Sequence, residues 1–363
     1  MNRKDFTSSR KLDHLRICLD EEIESGNTGF EDIRLVHEAL PDTDMDSLDL
    51  TTRFLGHDLK SPLFISAMTG GHPETKEINA VLAEIAEEMR LGIGVGSQRA
   101  AVENPELEDT FRVVRDKAPD TFIAGNLGIV QLRDHGIEWA ERAVEMIDAD
   151  ALAIHLNFLQ ESVQPEGDHN AAGCFSALRD LTRELHVPVI VKETGCGISY
   201  NTAKRCLGAG VACIDTGGHG GSSWALIESH RSGRITGSDD HRLKRLGERF
   251  GEWGIPTAVS LYEVTRCGAP VIASGGIRTG IDIAKALVLG ADLAGMALPL
   301  LQPACDGPDT LRDVIWSIHQ ELRICMFLTG KSRISDLSDT GWYVTGPTRD
   351  MIGNKEGGTR IGD

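Results

Sequence analysis

The stretch AIHLNFLQE, residues 153–161, ends an apolar run in His155, Asn157, Gln160 and Glu161. These groups need a hydrogen-bond partner, a proton or a metal. An imidazole can act as acid, base or acceptor near neutrality, carboxamides can orient a ligand, and a carboxylate can hold a hard cation such as Mg2+. Taken singly, each has an ordinary explanation, such as a paired core histidine or a glutamate at a helix start. Together, at the end of what reads as a buried strand, they require that the strand open onto a site. Lys192 ends a second such run, VPVIVKE (187–193). It is either a Schiff-base amine with depressed pKa or a cation beside a flavin ring; the bland alternative is an amine snorkelling out of the core. The turn ASGGIRTG (273–280) has small residues that let backbone N–H groups approach a phosphate, and TGIDIAKAL adds a helix start beside them. Arg10, Lys11 and His14 in SSRKLDHL (8–15), with Arg99 further on, can form a diphosphate clamp if they reach one pocket.

The elements that must position these groups are short apolar runs separated by amphipathic stretches. The runs are PLFISAM (62–68), LGIGVG (91–96), TFIAGN (121–126), DALAIHL (150–156), VPVIVKE (187–193), VACIDT (211–216), PVIASGG (270–276) and DLAGMAL (292–298). Without clean alternation they read as parallel strands buried on both faces. Between the first two, KEINAVLAEIAEEMR (76–90) puts Ile78, Val81, Leu82, Ile85 and Met89 on one helical face, and 281–291 reads as a helix before the last strand. Repeated β-then-α units predict a single (β/α)8 TIM barrel over residues 56–330, favoured over an open sheet. Residues 1–55 form an N-terminal arm, 217–256 an elaborated helical loop after the sixth strand, and 331–363 a C-terminal extension whose residues from 352 on are expected to be mobile. In such a barrel the site lies where strands end. Those ends carry Ala67, Met68 and Thr69; Ser97, Gln98 and Arg99; Asn126; the HLNFLQE cluster; Lys192; Thr216 to Ser223; Gly276, Ile277 and Arg278; and Ala297 and Leu298.

The chain has 363 residues, 40% of them hydrophobic, and a formal charge of −18. So acidic a protein is a poor general binder of nucleic acid or anionic membrane, so an anionic ligand needs a local basic pocket. Eight cysteines without CxxC spacing signal neither a zinc site nor a disulfide frame. The start has no signal-peptide pattern and no run is long enough to span a membrane. A soluble cytoplasmic enzyme is expected.

The motifs RKLDH, ISAMTGG, GVGSQRA, GNLG, HLNFLQE, VKETGCGIS, GGHGGSSW, SGGIRTG and AGMALP, in this order, resemble the type 2 isopentenyl-diphosphate isomerase family over roughly residues 8–330. The resemblance implies an FMN-dependent barrel that interconverts isopentenyl and dimethylallyl diphosphates. It implies Mg2+, a flavin reduced by NADPH or NADH, and a homo-oligomer, tetramer or octamer. Residue by residue it implies that Ala67, Met68, Thr69, Ser97, Asn126, Lys192 and Ser222 contact FMN, and that Gly276, Ile277, Arg278, Ala297 and Leu298 cradle its phosphate. Arg10, Lys11, His14, Ser97, Gln98, Arg99, His155, Asn157 and Gln160 would bind substrate, and Glu161 would hold Mg2+ against the diphosphate. His155, Asn157, Gln160, Lys192 and Glu228 form the expected catalytic set, with Lys192 at the flavin N1/C2 end and Gln160 and Glu228 as relay groups. The competing readings are an FMN-dependent 2-hydroxy-acid oxidoreductase on the same barrel, which needs a histidine base near strand seven, and a Schiff-base aldolase using Lys192.

Overall fold

The computed structural model describes residues 3–235 and 241–357. Eight strands close the barrel: β1 (Leu63–Ile65), β2 (Gly92–Gly94), β3 (Ile123–Gly128), β4 (Ala151–Leu156), β5 (Val189–Glu193), β6 (Cys213–Asp215), β7 (Val271–Ser274) and β8 (Leu293–Met296). Every neighbouring pair is parallel, and β6 pairs with β7 and β8 with β1 to complete the ring. Each of the eight apolar runs in the sequence contributes one strand.

Alternate residues of each strand serve two different layers, because successive side chains point to opposite faces. Outward residues such as Leu63, Ile65, Ile123, Leu152, Ile154, Val189, Val191, Ile214 and Val271 pack in one large cluster with the surrounding helices. Inward residues Phe64, Phe122, Ala124, Ala151, Ala153, Ile190, Cys213, Ile272 and Leu293 form a separate cluster. Phe54 and Leu59, from the hairpin of strands Thr52–Phe54 and His57–Leu59, join that inner cluster and plug the barrel floor. The hairpin therefore belongs to the barrel, and a boundary at residue 55 would cut through it.

Continuing the inward series up each strand explains the site. Two residues above Ala124 comes Asn126; above Ala153, His155; above Ile190, Lys192; above Cys213, Asp215; above Ile272, Ser274. The register sets His155 beside Lys192 and Lys192 beside Asp215. Apolar filling at one end of the barrel thus gives way to a polar rim at the other.

The arm begins with helix Arg3–Asp20, which packs against helices Arg99–Glu103, Trp224–Ile235 and Leu298–Asp306 at the barrel's open end. The loop after β6 contains helices Trp224–Ile235 and His241–Arg249, as its length suggested. Arm and C-terminal extension are not independent: Ile33–Leu35 pairs antiparallel with Trp342–Val344. Residues 352–363 were expected to be mobile. The helix Gly346–Gly357 covers the first of them, and 358–363 lie outside the described residues. No described helix is long and apolar enough to cross a membrane.

Candidate active site

One cavity occupies the barrel's open end, between the strand tips and the arm. It is lined by Ala67, Met68, Thr69, Ser97, Arg99, Asn126, His155, Asn157, Gln160, Glu161 and Lys192 from β1 to β5 and the segments that follow them. Ser222, Gly276, Arg278, Ala297 and Leu298 line it from the later units, and Arg10, Lys11 and His14 from the arm. The groups singled out in the sequence thus converge, with three exceptions.

Gln98 does not line the cavity. Its side chain is 0% exposed and faces the wall, where Nε2 donates to Ala143 O (2.7 Å) and Oε1 accepts from Asn126 N (2.8 Å). A substrate-binding role for that side chain is therefore corrected: it braces the tip of β3. Glu228, also 0% exposed, lies behind the wall. Its Oε1 accepts from Gln160 Nε2 (2.9 Å) and meets His14 Nε2 (2.9 Å), so it reaches the cavity only through them. Ile277 has a buried side chain, which leaves only its backbone for a ligand.

The hydrogen bonds fix protonation states. Asn126 Nδ2 donates to Val95 O (3.0 Å), which turns its Oδ1 toward His155 Nδ1 (2.8 Å). His155 therefore carries its proton on Nδ1, and Nε2 keeps a lone pair. Burial, reinforced by Lys192, Lys11, Arg10 and Arg99, lowers the imidazole pKa to about 3, so it is neutral at physiological pH. Burial alone would raise the Glu228 carboxyl, but His14, Arg231 and Gln160 outweigh it and hold the group below the usual carboxylate range. Burial lowers the pKa of His14, while the Glu228 carboxylate that accepts from its Nε2 pulls the other way.

Lys192 Nζ donates to Glu193 O (2.9 Å) and lies 3.9 Å from Asp215 Oδ2. Asp215 is itself held by the Ser274 hydroxyl. Glu193 was not singled out in the sequence. It lines the cavity, and burial pushes its carboxyl up to about 7 even though the N–H groups of Cys196, Gly195 and Thr194 all donate to it. Asp215 and Ser274 were legible as the next inward residues of β6 and β7; Gln164 and Trp224, also in the lining, had no such signal.

The arm supplies positive charge. Arg10 and Lys11 line the same cavity as Arg99, whose Nε is held by Glu103 Oε1 (2.9 Å). Burial first, then repulsion from Arg10 and Arg99, brings Lys11 down to about 7. Arg10 Nε is buried with no partner. This is an anion site built from side chains.

A second anion cradle is built from backbone. Gly275 and Gly276 both adopt left-handed φ (105° and 70°), which only glycine takes without strain. A Cβ on Gly276 would lie 2.2 Å from Gly220 O. Beside them helix Leu298–Asp306 begins at Ala297 but adds little: Pro299 has no N–H and Leu300 N donates to Ala297 O (2.9 Å), so this start contributes at most Leu298 N. The other helix start expected here is not available. Arg278 N and Thr279 N donate to Asp282 (3.1 Å each) and Gly280 N to Glu321 (2.6 Å), so helix Gly280–Val288 is already capped. The Arg278 guanidinium is paired with Glu24 of the arm.

These residues fit FMN. Gly96 and Gly295 line the cavity beside Asn126 and Lys192, where backbone and small residues can meet a flat ring. A Cβ on Gly295 would lie 2.4 Å from Ser66 Oγ, a buried hydroxyl in the lining without a partner. A resident metal fits less well. Among the described residues no group of three or more His, Cys, Asp or Glu could hold one. Glu161, 9% exposed, offers a single carboxylate, already accepting from Asn157 Nδ2 (3.1 Å) and Asp168 N (2.9 Å).

Fold and site together define a flavin-dependent barrel enzyme. The family model for FMN-dependent dehydrogenase matches residues 133–343. A solved flavocytochrome b2 variant with sulfite bound superposes with a TM-score of 0.65 at 18% identity, covering 97% of this chain and 90% of that one. Mandelate oxidase with (S)-2-phenylpropionate gives 0.64 at 15%, covering 94% and 97%. At such identities the likeness is one of fold. The sequence relatives are more specific. The isopentenyl-diphosphate delta-isomerase of Methanoregula boonei is 62% identical over 351 residues, 97% of this chain and 98% of that protein. Those of Methanosarcina barkeri (49%; 96% and 95% covered) and Archaeoglobus fulgidus (48%; 95% and 98%) follow. The chain belongs to the isopentenyl-diphosphate delta-isomerase family, within the FMN-dependent barrels.

Proposed function

We propose that the enzyme interconverts isopentenyl and dimethylallyl diphosphate with reduced FMN as its acid–base cofactor, in isoprenoid biosynthesis. The observation that carries this reading is the pair of anion sites in one cavity: a neutral backbone cradle for the flavin phosphate and a cationic cluster for the substrate. Moving a double bond means adding one proton and removing another. Bound reduced flavin would supply an electron-rich ring and an exchangeable proton to a weakly basic alkene.

The chain's own residues do the rest. Arg10, Lys11 and Arg99 bind the diphosphate, and that remote binding energy positions the alkene. Asn157 donates to Gln160 Oε1 (3.1 Å) and to Glu161, so one carboxamide aligns both. Gln160 lines the cavity while its Nε2 donates to ionised Glu228, so the two form the proposed relay, with Glu228 Oε1 as its hydrogen-bond-accepting end. Lys192, steadied by Asp215, places positive charge where an anionic reduced ring needs it. His155 stays neutral and orients rather than titrates. Mg2+ fits as an ion carried by the diphosphate and met by Glu161, since one carboxylate plus phosphate oxygens suffices for a cation that keeps several waters. NADPH or NADH is the proposed reductant of the flavin, and a homo-oligomer the proposed assembly.

A 2-hydroxy-acid oxidoreductase would need a histidine base near β7, where Ser274 to Thr279 offers none. The test is to reduce the FMN-loaded enzyme with dithionite and supply isopentenyl diphosphate and Mg2+. Dimethylallyl diphosphate is the expected product; no conversion, with oxidation of a 2-hydroxy acid instead, would replace this reading. In the same assay Glu161→Gln should raise the Mg2+ needed for half-maximal rate about tenfold, with FMN retention unchanged. An unaltered Mg2+ curve would remove Glu161 as a ligand.

A further inference from the structure

Glu166 follows the HLNFLQE segment and has no role in the chemistry above. Its Oε1 accepts from Arg231 Nη2 (2.7 Å) and faces Arg10 Nη1 (3.5 Å). Arg231 is 0% exposed and directs Nε to Glu228 Oε2 (2.6 Å). Glu228 Oε1 in turn meets His14 Nε2 at 2.9 Å. Gln164, with its amide oriented to satisfy both neighbours, donates to Glu228 Oε1 (3.1 Å) and accepts from Arg10 Nη1 (3.2 Å).

Arg10 and His14 stand one turn apart on helix Arg3–Asp20 and face the same way. Two successive turns of the arm are therefore tied to the two ends of one Glu166–Arg231–Glu228 unit. A fully buried arginine is weak evidence for stability, since desolvation offsets its ion pairs; fixing a register is the better-attested use of such a group. The planar fork of Arg231 spans two carboxylates, which a lysine cannot copy. Glu166 also presents a puzzle: a carboxylate beside a cation meant for an anion should weaken binding. That placement makes sense if it holds the long Arg10 side chain by one edge. The other edge, Nε, is buried without an acceptor.

We propose that Glu166, through buried Arg231, is a positioning residue that latches the N-terminal helix over the cavity and aims Arg10 at the substrate diphosphate. This rests on the substrate reading above, and the test separates the two. In the FMN-loaded enzyme, E166Q should raise the KM for isopentenyl diphosphate about fivefold to tenfold, with kcat within about twofold and FMN retention unchanged. The double variant E166Q/R10A should be no worse than R10A alone, because residues acting through one contact are not additive. Independently of turnover, backbone amides of residues 10–20 should exchange hydrogen faster in ligand-free E166Q than in wild type. R10A, which leaves the buried unit intact, should release the helix in the same way. Unchanged exchange in both variants, or fully additive KM effects, overturns the latch. If wild type fails to isomerise, the substrate reading falls and the exchange measurement still decides the latch.

Discussion

The two anion sites of this cavity are built on opposite principles. The cradle after β7 is neutral: the left-handed glycines Gly275 and Gly276 present backbone N–H groups in fixed positions. The cluster at the arm is charged: Arg10, Lys11 and Arg99 reach in on long side chains from two separate segments. The first is preorganised and loses little entropy on binding, which suits a cofactor held through many turnovers. The second is crowded with like charge until an anion arrives, which suits a ligand that must enter and leave. Neutral cradles should be insensitive to salt and pH; charged clusters should respond to both.

The sharpest way to break that contrast is at Gly276. Replacement by alanine puts a Cβ 2.2 Å from Gly220 O and 2.4 Å from Thr28 Cγ2, at φ 70°. Strain of ~3 kcal/mol predicts a loss of FMN affinity on the order of a hundredfold. Calorimetric binding of inorganic diphosphate at the arm should hardly change. Equal loss of both ligands would mean that the two anion sites are one.

The reverse experiment uses Arg99→Ala and Arg10→Ala. Each should raise the substrate KM roughly ten- to a hundredfold, from ~1.5–3 kcal/mol of charge-assisted hydrogen bonding. FMN retention should stay at the wild-type level, because neither guanidinium belongs to the backbone cradle. Loss of FMN with an unchanged KM would reverse the assignment.

The same contrast governs what could be read from the sequence. All eight strands were legible because each is buried on both faces and so reads as an unbroken apolar run. The helix expected at 76–90 forms over Thr75–Met89, since its apolar spacing matches the helical period. Strand-tip residues were legible because period two carries each inward series from filler to functional group. Gln98 shows the limit: Ser97 and Arg99 face the cavity, and the residue between them turns into the wall. Gln98 lies past the strand, at the cap of helix Arg99–Glu103, where the period of two no longer applies. The helix start after β7 was legible in part: Asp282 takes the N–H groups of Arg278 and Thr279 from within the motif, whereas Glu321 caps Gly280 from far along the chain. Glu166, Arg231 and Gln164 were hidden. Their partners are set by how loops and the arm fold back over the barrel, and no local pattern encodes that.

The smallest predicted effect tests the charged site most directly, through Lys11. Burial and the nearby Arg10 and Arg99 bring its pKa to about 7 from the ordinary 10.5. Between those two values the unfolded chain holds more protons than the folded one, so the ligand-free fold gains stability as pH rises through that window. Binding works the other way. A diphosphate beside Lys11 favours the charged amine, raises its pKa and draws in a proton when the free enzyme is above pH 7. Affinity for inorganic diphosphate should therefore fall as pH rises from about 7 toward 9, by at most about tenfold per pH unit for one proton. Calorimetry at pH 8 in buffers of different ionisation enthalpy should show net uptake approaching one proton. Lys11→Gln should remove both the uptake and this part of the slope, leaving FMN affinity flat across the same range. A pH-independent affinity in wild type, or a slope that survives in Lys11→Gln, would show that the arm site is as neutral in its behaviour as the glycine cradle.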